Sequence, residues 1–425
     1  MIYDTGGMHI ILLLRIRFTF LLRRKLQETD MGAMEQMTKS LGNLKGRQKE
    51  YSDRVHGLQL IEGWWWDSTQ FQPRPDQPTQ PTNPAIPFIW KWSEVGPLVR
   101  EMGDPGLGIG LGQGGKKAER RVLILRNPGM GGQYAITNTF FGDIQLVKKG
   151  EVAPTHRHTT TAARFIFEGS GGWTTVEGER AMLSPGGIVF NQQMGWHDHG
   201  NDGPDDFLMF DVLDIPLLTA LGTATWDFEY VKINRDKEKT AQDLRWPLNY
   251  SNNLYRAGGI VPKFVGGTRP DHSPMLSYAF ETVRDTLNRL RGERGSPHDG
   301  VIVEFVNPVT GGSIGPTMSI CAQLLRPGEK TISHRHNTST IYIGVRGNGY
   351  TVAGNQRIDW SKHDIYAVPS WCWHEHGNDG SEDAIVYSVS DSPVMEKLGL
   401  YCEQRKTQAG ETEFLGWNAN QLAFR

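Results

Sequence analysis

The chain has 425 residues, with 50 glycines, 23 prolines and 10% aromatic residues. This length accommodates two domains, and the many turn-forming residues favour a β-rich protein over a helical bundle. The formal net charge of −2 gives no reason to expect binding to nucleic acid or to an anionic membrane. Three widely spaced cysteines indicate neither a disulfide framework nor a thiolate metal site, so a reducing, cytoplasmic location is expected.

The N-terminal part of the chain carries no recognisable site. Residues 1–34 are expected to be disordered or to belong to a mis-assigned start, because the apolar stretch at 10–22 is too short and too charged for a membrane span. An organelle-targeting peptide is the alternative. Residues 35–118 are predicted to form a helical and extended arm, with a short helix at 90–102.

Short β-type runs separated by turn residues follow, and they predict one domain over residues 119–222, built as a double-sheet barrel or sandwich. Its predicted strands are 121–126, 136–141, 144–148, 164–167, 173–176, 187–190 and 207–213. Residues 223–300 are predicted as an inter-domain linker with a helix at 274–291. Strands resume in a second domain over 301–392, and the tail at 393–425 gives no clear signal.

Two histidine pairs occur in the same order in two parts of the chain. The first copy runs from G-E through H-R-H at 156–158 to W-H-D-H-G-N at 196–201. The second copy runs from G-E through H-R-H at 334–336 to W-H-E-H-G-N at 373–378. A repeat of this length predicts that the chain contains one fold twice.

Histidines two residues apart on a strand point to the same face, so His156 and His158 can bind one metal ion together. A third imidazole can come from His197 or His199, and the other histidine of this pair can face the substrate and move a proton at neutral pH. No acidic residue closely follows His158, so three neutral ligands with open positions are predicted, which favour an anionic chelating substrate and O2. Imidazole ligands alone do not distinguish iron, manganese, nickel, copper and zinc. The possible second site consists of His334, His336 and His374.

Arg164 follows His158 by six residues, an even spacing that places both on one face of a continuous strand. A guanidinium beside a metal pocket is suited to clamp a carboxylate, and a structural ion pair is the alternative. Tyr342 takes the corresponding position in the second copy, so the two copies are expected to differ in function. Asp211 and Asp214 are expected to orient the proton-moving histidine.

Four motifs resemble those of the bicupin ring-cleaving dioxygenases, which include gentisate, salicylate and 1-hydroxy-2-naphthoate dioxygenases. The motifs are G-E-V-A-P-x-H-R-H-T, R-F-I-x-E-G, W-H-D-H-G-N and D-x-L-D-I-P. The resemblance covers roughly residues 90–390. It implies an all-β-dominated chain with two tandem cupin domains, which are jelly-roll β-barrels with flanking helices, in a homotetramer. It also implies Fe(II) in the first barrel, on His156, His158 and His197.

The same resemblance implies a reaction. Such an enzyme uses O2 to open the ring of a hydroxylated, gentisate-like aromatic acid between the carbons that bear the carboxylate and the hydroxyl. It implies substrate contacts from Arg120, Arg164, His199 and Asp211. Of these, His199 is expected to accept the phenolic proton with Asp211 behind it, and Arg164 to hold the carboxylate.

Two positions depart from the family pattern. Phe141 stands where members commonly have Trp or Tyr, and Asp143 stands where they have a small residue. Both are expected to line the pocket, and an inward-facing Asp143 disfavours an anionic substrate unless it meets a hydroxyl donor or the field of the metal. The alternatives are therefore cleavage of salicylate or 1-hydroxy-2-naphthoate, or a non-oxidative cupin that acts as an isomerase or binds a small molecule.

Overall fold

The computed structural model describes residues 46–47, 49–59, 80–107, 121–230, 241–265 and 271–416. The chain divides into two units, Met1–Gln80 and Pro81–Arg425. In the first unit, residues 49–57 are helical. The predictions for residues 1–34 and for Arg120 concern positions outside the described residues.

The second unit contains four antiparallel sheets that form two barrels, which confirms the predicted mostly β chain with one fold present twice. We call them barrel 1 and barrel 2. The six-stranded sheet of barrel 1 has the order β12 (Ser277–Tyr278), β8 (Ile188–Asn191), β5 (Ala162–Glu168), β10 (Phe207–Leu213), β3 (Phe141–Val147) and β2 (Arg121–Ile124). Its second sheet has the order β11 (Trp226–Asp227), β4 (Val152–His158), β9 (His197–Asn201), β6 (Gly172–Val176) and β7 (Glu179–Met182).

Barrel 2 repeats this arrangement with two six-stranded sheets. The first has the order β1 (Phe88–Trp90), β19 (Ile365–Val368), β16 (Thr340–Arg346), β21 (Ala384–Ser390), β14 (Ser319–Leu325) and β13 (Val301–Glu304). The second has the order β18 (Gln356–Ser361), β17 (Asn348–Ala353), β20 (His374–Gly377), β15 (His334–His336), β22 (Cys402–Lys406) and β23 (Thr412–Gly416).

Side-chain alternation along the strands separates a core from a site. In β5, Phe165 and Phe167 belong to an apolar core that also contains Ile341 and Ile343 of β16. Arg164 directly precedes Phe165 in the strand and therefore points to the other face, into barrel 1. The six-stranded sheets that contain β5 and β16 therefore pack back to back, and the interior of barrel 1 is available for polar residues.

Short helices flank the barrels. They are Trp92–Glu101, Ile215–Ala220, Tyr250–Tyr255, Phe280–Leu290 and Ser392–Lys397, with 3-10 turns at Pro105–Leu107 and Pro128–Met130. The helix predicted at 90–102 is the first of these. Within the described ranges, no helix is both long and apolar enough to span a bilayer.

The strand predicted at 136–141 is wrong. Residues 136–140 form a turn, because the Thr137 hydroxyl accepts hydrogen bonds from the backbone N–H groups of Thr139 (3.3 Å) and Phe140 (3.1 Å). A hydroxyl that binds the chain locally competes with sheet pairing. The strand begins at Phe141 and continues without a break through the strand predicted from 144.

The helix predicted at 274–291 begins only at Phe280. Ser277 and Tyr278 instead pair with Val189 and Ile188 of β8. The predicted linker at 223–300 thus supplies β11 and β12 to barrel 1. The tail at 393–425, which gave no signal, supplies β22 and β23 to barrel 2.

Candidate active site

Four imidazoles converge inside barrel 1. Strands β4 and β9 pair so that His156 lies opposite His197. The ring centroid of His197 is 4.4 Å from that of His156, 4.7 Å from that of His158 and 5.4 Å from that of His199. All four residues are buried. The two-residue spacing of each pair thus brings four nitrogen ligands to one place.

Hydrogen bonds to backbone carbonyls orient three of these rings. The Nδ1–carbonyl distances are 2.8 Å for His156 and Pro154, 2.8 Å for His158 and Thr160, and 2.9 Å for His197 and Gly195. An Nδ1 that donates to a carbonyl holds the ring proton, so Nε2 keeps its lone pair for a metal. The Nε2 of His197 is buried and has no hydrogen-bond partner among the described residues. This donor set fits a divalent transition metal.

The protonation state of His197 also suits metal binding. Burial lowers its pKa well below the ordinary value, and the nearby His156 and Arg164 lower it further. A neutral imidazole is the form that binds a metal ion.

The tightest group of ligand atoms differs from the predicted triad by one residue. It comprises His156, His197 and His199, whose ligand atoms lie within 4.8 Å of one another. The predicted triad has His158 instead of His199. The His158 ring is held by the carbonyl and the hydroxyl of Thr160, at 2.8 and 2.7 Å, and its centroid is 5.8 Å from that of His156. His156 and His197 therefore belong to both sets.

A cavity of about 190 Å³ opens beside the histidines. Its lining residues are Phe141, Asp143, Gln145, His156, His158, Arg164, Asp211, Leu213, Ile215, Trp226 and Phe228. Phe141, Asp143, Arg164 and Asp211 were predicted at the pocket from the sequence. The lining combines apolar and aromatic side chains with charged ones, which suits an aromatic acid.

Three charged residues lie on adjacent strands at this cavity. Asp211 of β10 is directly opposite Arg164 of β5 on one side and Asp143 of β3 on the other. Arg164 Nε lies 2.8 Å from Asp211 Oδ2, and the two side chains are 2% and 1% exposed. The Gln145 amide donates to both Asp211 (3.0 Å) and Asp143 (3.1 Å). The Arg164 guanidinium thus forms a structural ion pair with Asp211 and also faces the cavity.

Two further predicted residues have distinct surroundings. The Nδ1 of His199 is 3.2 Å from the hydroxyl of Thr174. Asp214 accepts a hydrogen bond from the backbone N–H of Thr161 (2.9 Å), and burial raises its pKa to about 6. Asp214 therefore fixes the turn between β4 and β5, which corrects the prediction that it orients an imidazole.

The aromatic wall of the cavity, which Trp226 and Phe228 form, was not predicted from the sequence. Trp226 lies opposite His158 in the pairing of β11 with β4. The ring of Phe228 stacks on His156, with centroids 5.7 Å apart and planes inclined by 20°. The apolar–polar–apolar order of residues 226–228 is a period-two signal, but it is only three residues long and lies in the predicted linker.

Known proteins match this chain in sequence and in fold. Residues 143–213 and 322–390 match the family model "Cupin domain". A 5-aminosalicylate 1,2-dioxygenase of Comamonas sp is 34% identical over 333 residues, which are 77% of this chain and 84% of that protein. A gentisate 1,2 dioxygenase of Aquipseudomonas alcaligenes is 34% identical over 68% of this chain and 80% of its own length. The crystal structure of a salicylate 1,2-dioxygenase from Pseudaminobacter salicylatoxidans matches with a TM-score of 0.73 at 28% identity, over 84% of this chain and 97% of that one.

Proposed function

The chain belongs to the bicupin ring-cleaving dioxygenases, and we propose that its barrel 1 uses Fe(II) and O2 to open the ring of a gentisate-like acid. The membership confirms the resemblance of the sequence motifs. The observation that carries the substrate proposal is the cavity of barrel 1, where Arg164 and Asp143 lie beside the histidines. The proposed bond cleavage is between the ring carbons that bear the carboxylate and the hydroxyl.

His156, His158 and His197 are the proposed iron ligands, and His199 is left to face the substrate. The histidines of barrel 2 support this choice, because their tightest group is the counterpart triad His334, His336 and His374. The two sets have similar spacings: the ring of His374 is 4.3, 5.0 and 5.5 Å from those of its three neighbours, against 4.4, 4.7 and 5.4 Å for His197. When bound, the iron supplies the electron transfer between aromatic ring and O2 that neither molecule undergoes rapidly alone.

Arg164 is the proposed binding group for the substrate carboxylate. A guanidinium offers a planar fork of donors that matches two carboxylate oxygens. The ion pair with Asp211 holds this fork in place, so little side-chain entropy is lost when the substrate binds. Phe141, Trp226 and Phe228 provide apolar surface for the ring. His199 is the proposed acceptor of the phenolic proton, and Asp211 its support.

Asp143 favours a substrate that carries a second donor on its ring. A carboxylate has about four acceptor positions, so a ring hydroxyl or amine can bind it in addition to Gln145. Gentisate has such a hydroxyl and 5-aminosalicylate such an amine, whereas salicylate and 1-hydroxy-2-naphthoate have neither. The proposed substrate is therefore a 2-hydroxybenzoate with a further donor.

The test is O2 uptake by anaerobically purified, Fe(II)-loaded protein offered gentisate, 5-aminosalicylate, salicylate and 1-hydroxy-2-naphthoate in parallel. We expect uptake with gentisate or 5-aminosalicylate, with one O2 consumed per ring opened. Uptake only with salicylate or 1-hydroxy-2-naphthoate would contradict the role of Asp143. Uptake with none of the four, by protein shown to hold iron, would overturn the proposed function.

Asp143→Asn isolates the contribution of the carboxylate. Hydrogen bonds to charged groups contribute about 1.5–3 kcal/mol, so kcat/KM for a substrate with a second donor should fall roughly 10- to 100-fold. The value for salicylate should stay constant or rise, since its ring has no donor for Asp143. Parallel steady-state kinetics on both acids measure this. An equal loss with both would mean that Asp143 supports the fold of the pocket and not selectivity.

The proposed state of the protein is a cytoplasmic homotetramer. Large apolar residues at 241–265 are exposed, including Ile260 at 73% and Phe264 at 81%, and such surface is typical of subunit contacts. The three cysteines are free, which suits a reducing compartment. Light scattering should give four times the chain mass of 47.7 kDa, and a monomer would contradict the tetramer.

A further inference from the structure

Barrel 2 contains a second group of converging imidazoles. The ligand atoms of His334, His336 and His374 lie within 4.8 Å of one another, and the ring of His376 is 5.5 Å from that of His374. The Nε2 atoms of His334, His374 and His376 are buried and have no hydrogen-bond partner in the described part of the chain. Buried polar atoms without a partner destabilise a fold, so three at one point indicate a bound group.

The outward nitrogens of the three rings are fixed by acceptors. The Nδ1 distances are 3.1 Å for His334 to Glu403 Oε1, 3.1 Å for His336 to the Thr338 carbonyl, and 2.9 Å for His374 to the Cys372 carbonyl. Each acceptor places the ring proton on Nδ1 and leaves the lone pair of Nε2 directed inward. A carboxylate behind a histidine is a recurrent support for metal ligands, because it fixes the ring and raises its basicity.

Glu403 is held as a carboxylate for this role. It lies on β22, opposite His336, and Arg405 donates to its two oxygens at 2.6 and 3.0 Å. The guanidinium of Arg405 thus fixes the carboxylate that accepts the hydrogen bond from His334. Strand β22 therefore brings a fixed negative charge to the back of the His334 imidazole.

Asp299 brings an oxygen to the inner side of the same imidazole. Its Oδ1 lies 3.8 Å from His334 Nε2, and its Oδ2 accepts a hydrogen bond from the Ser296 hydroxyl (2.9 Å). Three imidazoles and one carboxylate form a ligand set that zinc, iron and manganese accept. The carboxylate also offsets one of the two charges of a divalent ion.

Barrel 2 differs from barrel 1 at the positions that form the substrate cavity of barrel 1. Tyr342 takes the place of Arg164 and stacks on Tyr366, with centroids 4.9 Å apart and planes inclined by 9°. Strand β22 occupies the place of β11: Glu403 lies opposite His336 where Trp226 lies opposite His158. One strand position thus gives an aromatic wall in barrel 1 and a charged support in barrel 2.

We propose that barrel 2 binds its own divalent transition-metal ion through His334, His336, His374 and Asp299, with Glu403 as a positioning residue. The ion stabilises barrel 2 and takes no part in ring cleavage. It connects β15, β20 and the segment before β13, and it gives the buried Nε2 atoms of His334 and His374 a partner.

The metal content per chain tests this directly. The full-length protein is reconstituted anaerobically with Fe(II), or separately with Zn(II), and freed of loose metal by gel filtration. Plasma mass spectrometry should find two ions per chain in the wild type, one in His374→Ala and one in the matched barrel 1 variant His197→Ala. A single ion in the wild type that persists in His374→Ala and disappears in His197→Ala would overturn the proposal. These counts do not depend on turnover, so a failed oxygenase assay would not affect them.

Three further measurements separate a metal site from a packing role or a catalytic role. Glu403→Gln should weaken binding of the second ion about 10- to 100-fold by competition with a chromophoric chelator, while the first ion is unaffected. Chelation should lower the Tm of His197→Ala, because the one ion that this variant retains is that of barrel 2. An unchanged Tm would overturn the stabilising role. Equal affinity in Glu403→Gln would exclude its positioning role. Loss of ring cleavage in folded, iron-loaded His336→Ala would show that barrel 2 takes part in catalysis.

Discussion

At the residue scale, Arg164 combines an ion pair with a face open to the cavity. We expect Arg164→Ala to raise KM for the aromatic acid at least tenfold while iron stays bound, because loss of one partner of a buried charge pair costs about 2–5 kcal/mol. Steady-state kinetics and metal analysis measure the two effects. Arg164→Lys is the control, since it keeps the charge without the planar fork and should recover only part of the affinity. An unchanged KM would contradict the proposed role of Arg164 in binding the substrate carboxylate.

His158 and His199 are the two candidates for the third ligand of barrel 1. If His158 is the ligand, His158→Ala should lose iron from barrel 1, whereas His199→Ala should keep it and lose most of kcat. Mass spectrometry for metal and single-turnover kinetics distinguish the two variants. The reverse result, with iron lost only from His199→Ala, would support the tighter group His156, His197 and His199.

The sequence predicted the position of Arg164 for a reason that was only partly right. The prediction relied on the even spacing between His158 and Arg164 and assumed that one continuous strand contains both. In the structure, β4 ends at His158 and β5 begins at Ala162, in a different sheet. Arg164 still faces the cavity because the two sheets enclose one interior. The ion pair with Asp211 depends on cross-strand register, which a single sequence does not reveal.

At the scale of elements, two aspartates fix corresponding turns in the barrels. Asp214 binds the backbone N–H of Thr161, and Asp391 binds that of Ser339 at 2.9 Å and the hydroxyl of Thr139 at 2.7 Å. Burial raises the pKa of each to about 6. Such a group favours the folded state most when it is protonated, below the unfolded pKa of about 3.9, and this contribution is lost as the pH rises through about 6.

Asp391→Asn tests this linkage because asparagine keeps the shape and does not titrate. A shift of two pKa units corresponds to about 3 kcal/mol. The wild type loses this contribution as the pH rises and the variant does not, so the unfolding free energy of the variant minus that of the wild type should increase by up to about 3 kcal/mol between about pH 4 and pH 7. Urea denaturation at several pH values measures it. A constant difference across this range would show that Asp391 is ionised throughout.

Predictability from sequence varied among the elements. A strand with a long apolar run, such as Phe207–Leu213, was predicted at its observed limits because a run of this length bounded by turn residues identifies a buried strand. Two-residue strands such as Ser277–Tyr278 have too little pattern, and their pairing with β8 is decided by tertiary contacts. The charged tail strand Cys402–Lys406 was missed because its side chains serve a site and not an apolar core. The limits of the predicted domains stay predictions.

At the scale of the whole molecule, the two barrels share one apolar core. Tyr387 of barrel 2 is 1% exposed, its ring contacts Phe165 of barrel 1 at a centroid distance of 6.0 Å, and its hydroxyl donates to the Gly186 carbonyl at 2.9 Å. The barrels should therefore unfold together. We expect one urea transition by tryptophan fluorescence and circular dichroism, shifted by about 1 kcal/mol in Tyr387→Phe and about 3–5 kcal/mol in Tyr387→Ala. Two separate transitions would show that the barrels are independent.

Strand β1 sets the order in which the molecule can be completed during synthesis. Phe88–Trp90 lies ahead of barrel 1 in the chain but pairs with Ile365–Ala367 of barrel 2, so 275 residues (365 minus 90) separate Trp90 from its partner Ile365. A ribosome that adds 5–20 residues per second needs roughly 14–55 s to make that stretch. During this interval the nascent β1 has no sheet to join, and it is a segment that a chaperone can hold. A gene divided between the barrels would therefore leave the second fragment without its edge strand unless residues 80–92 were moved with it.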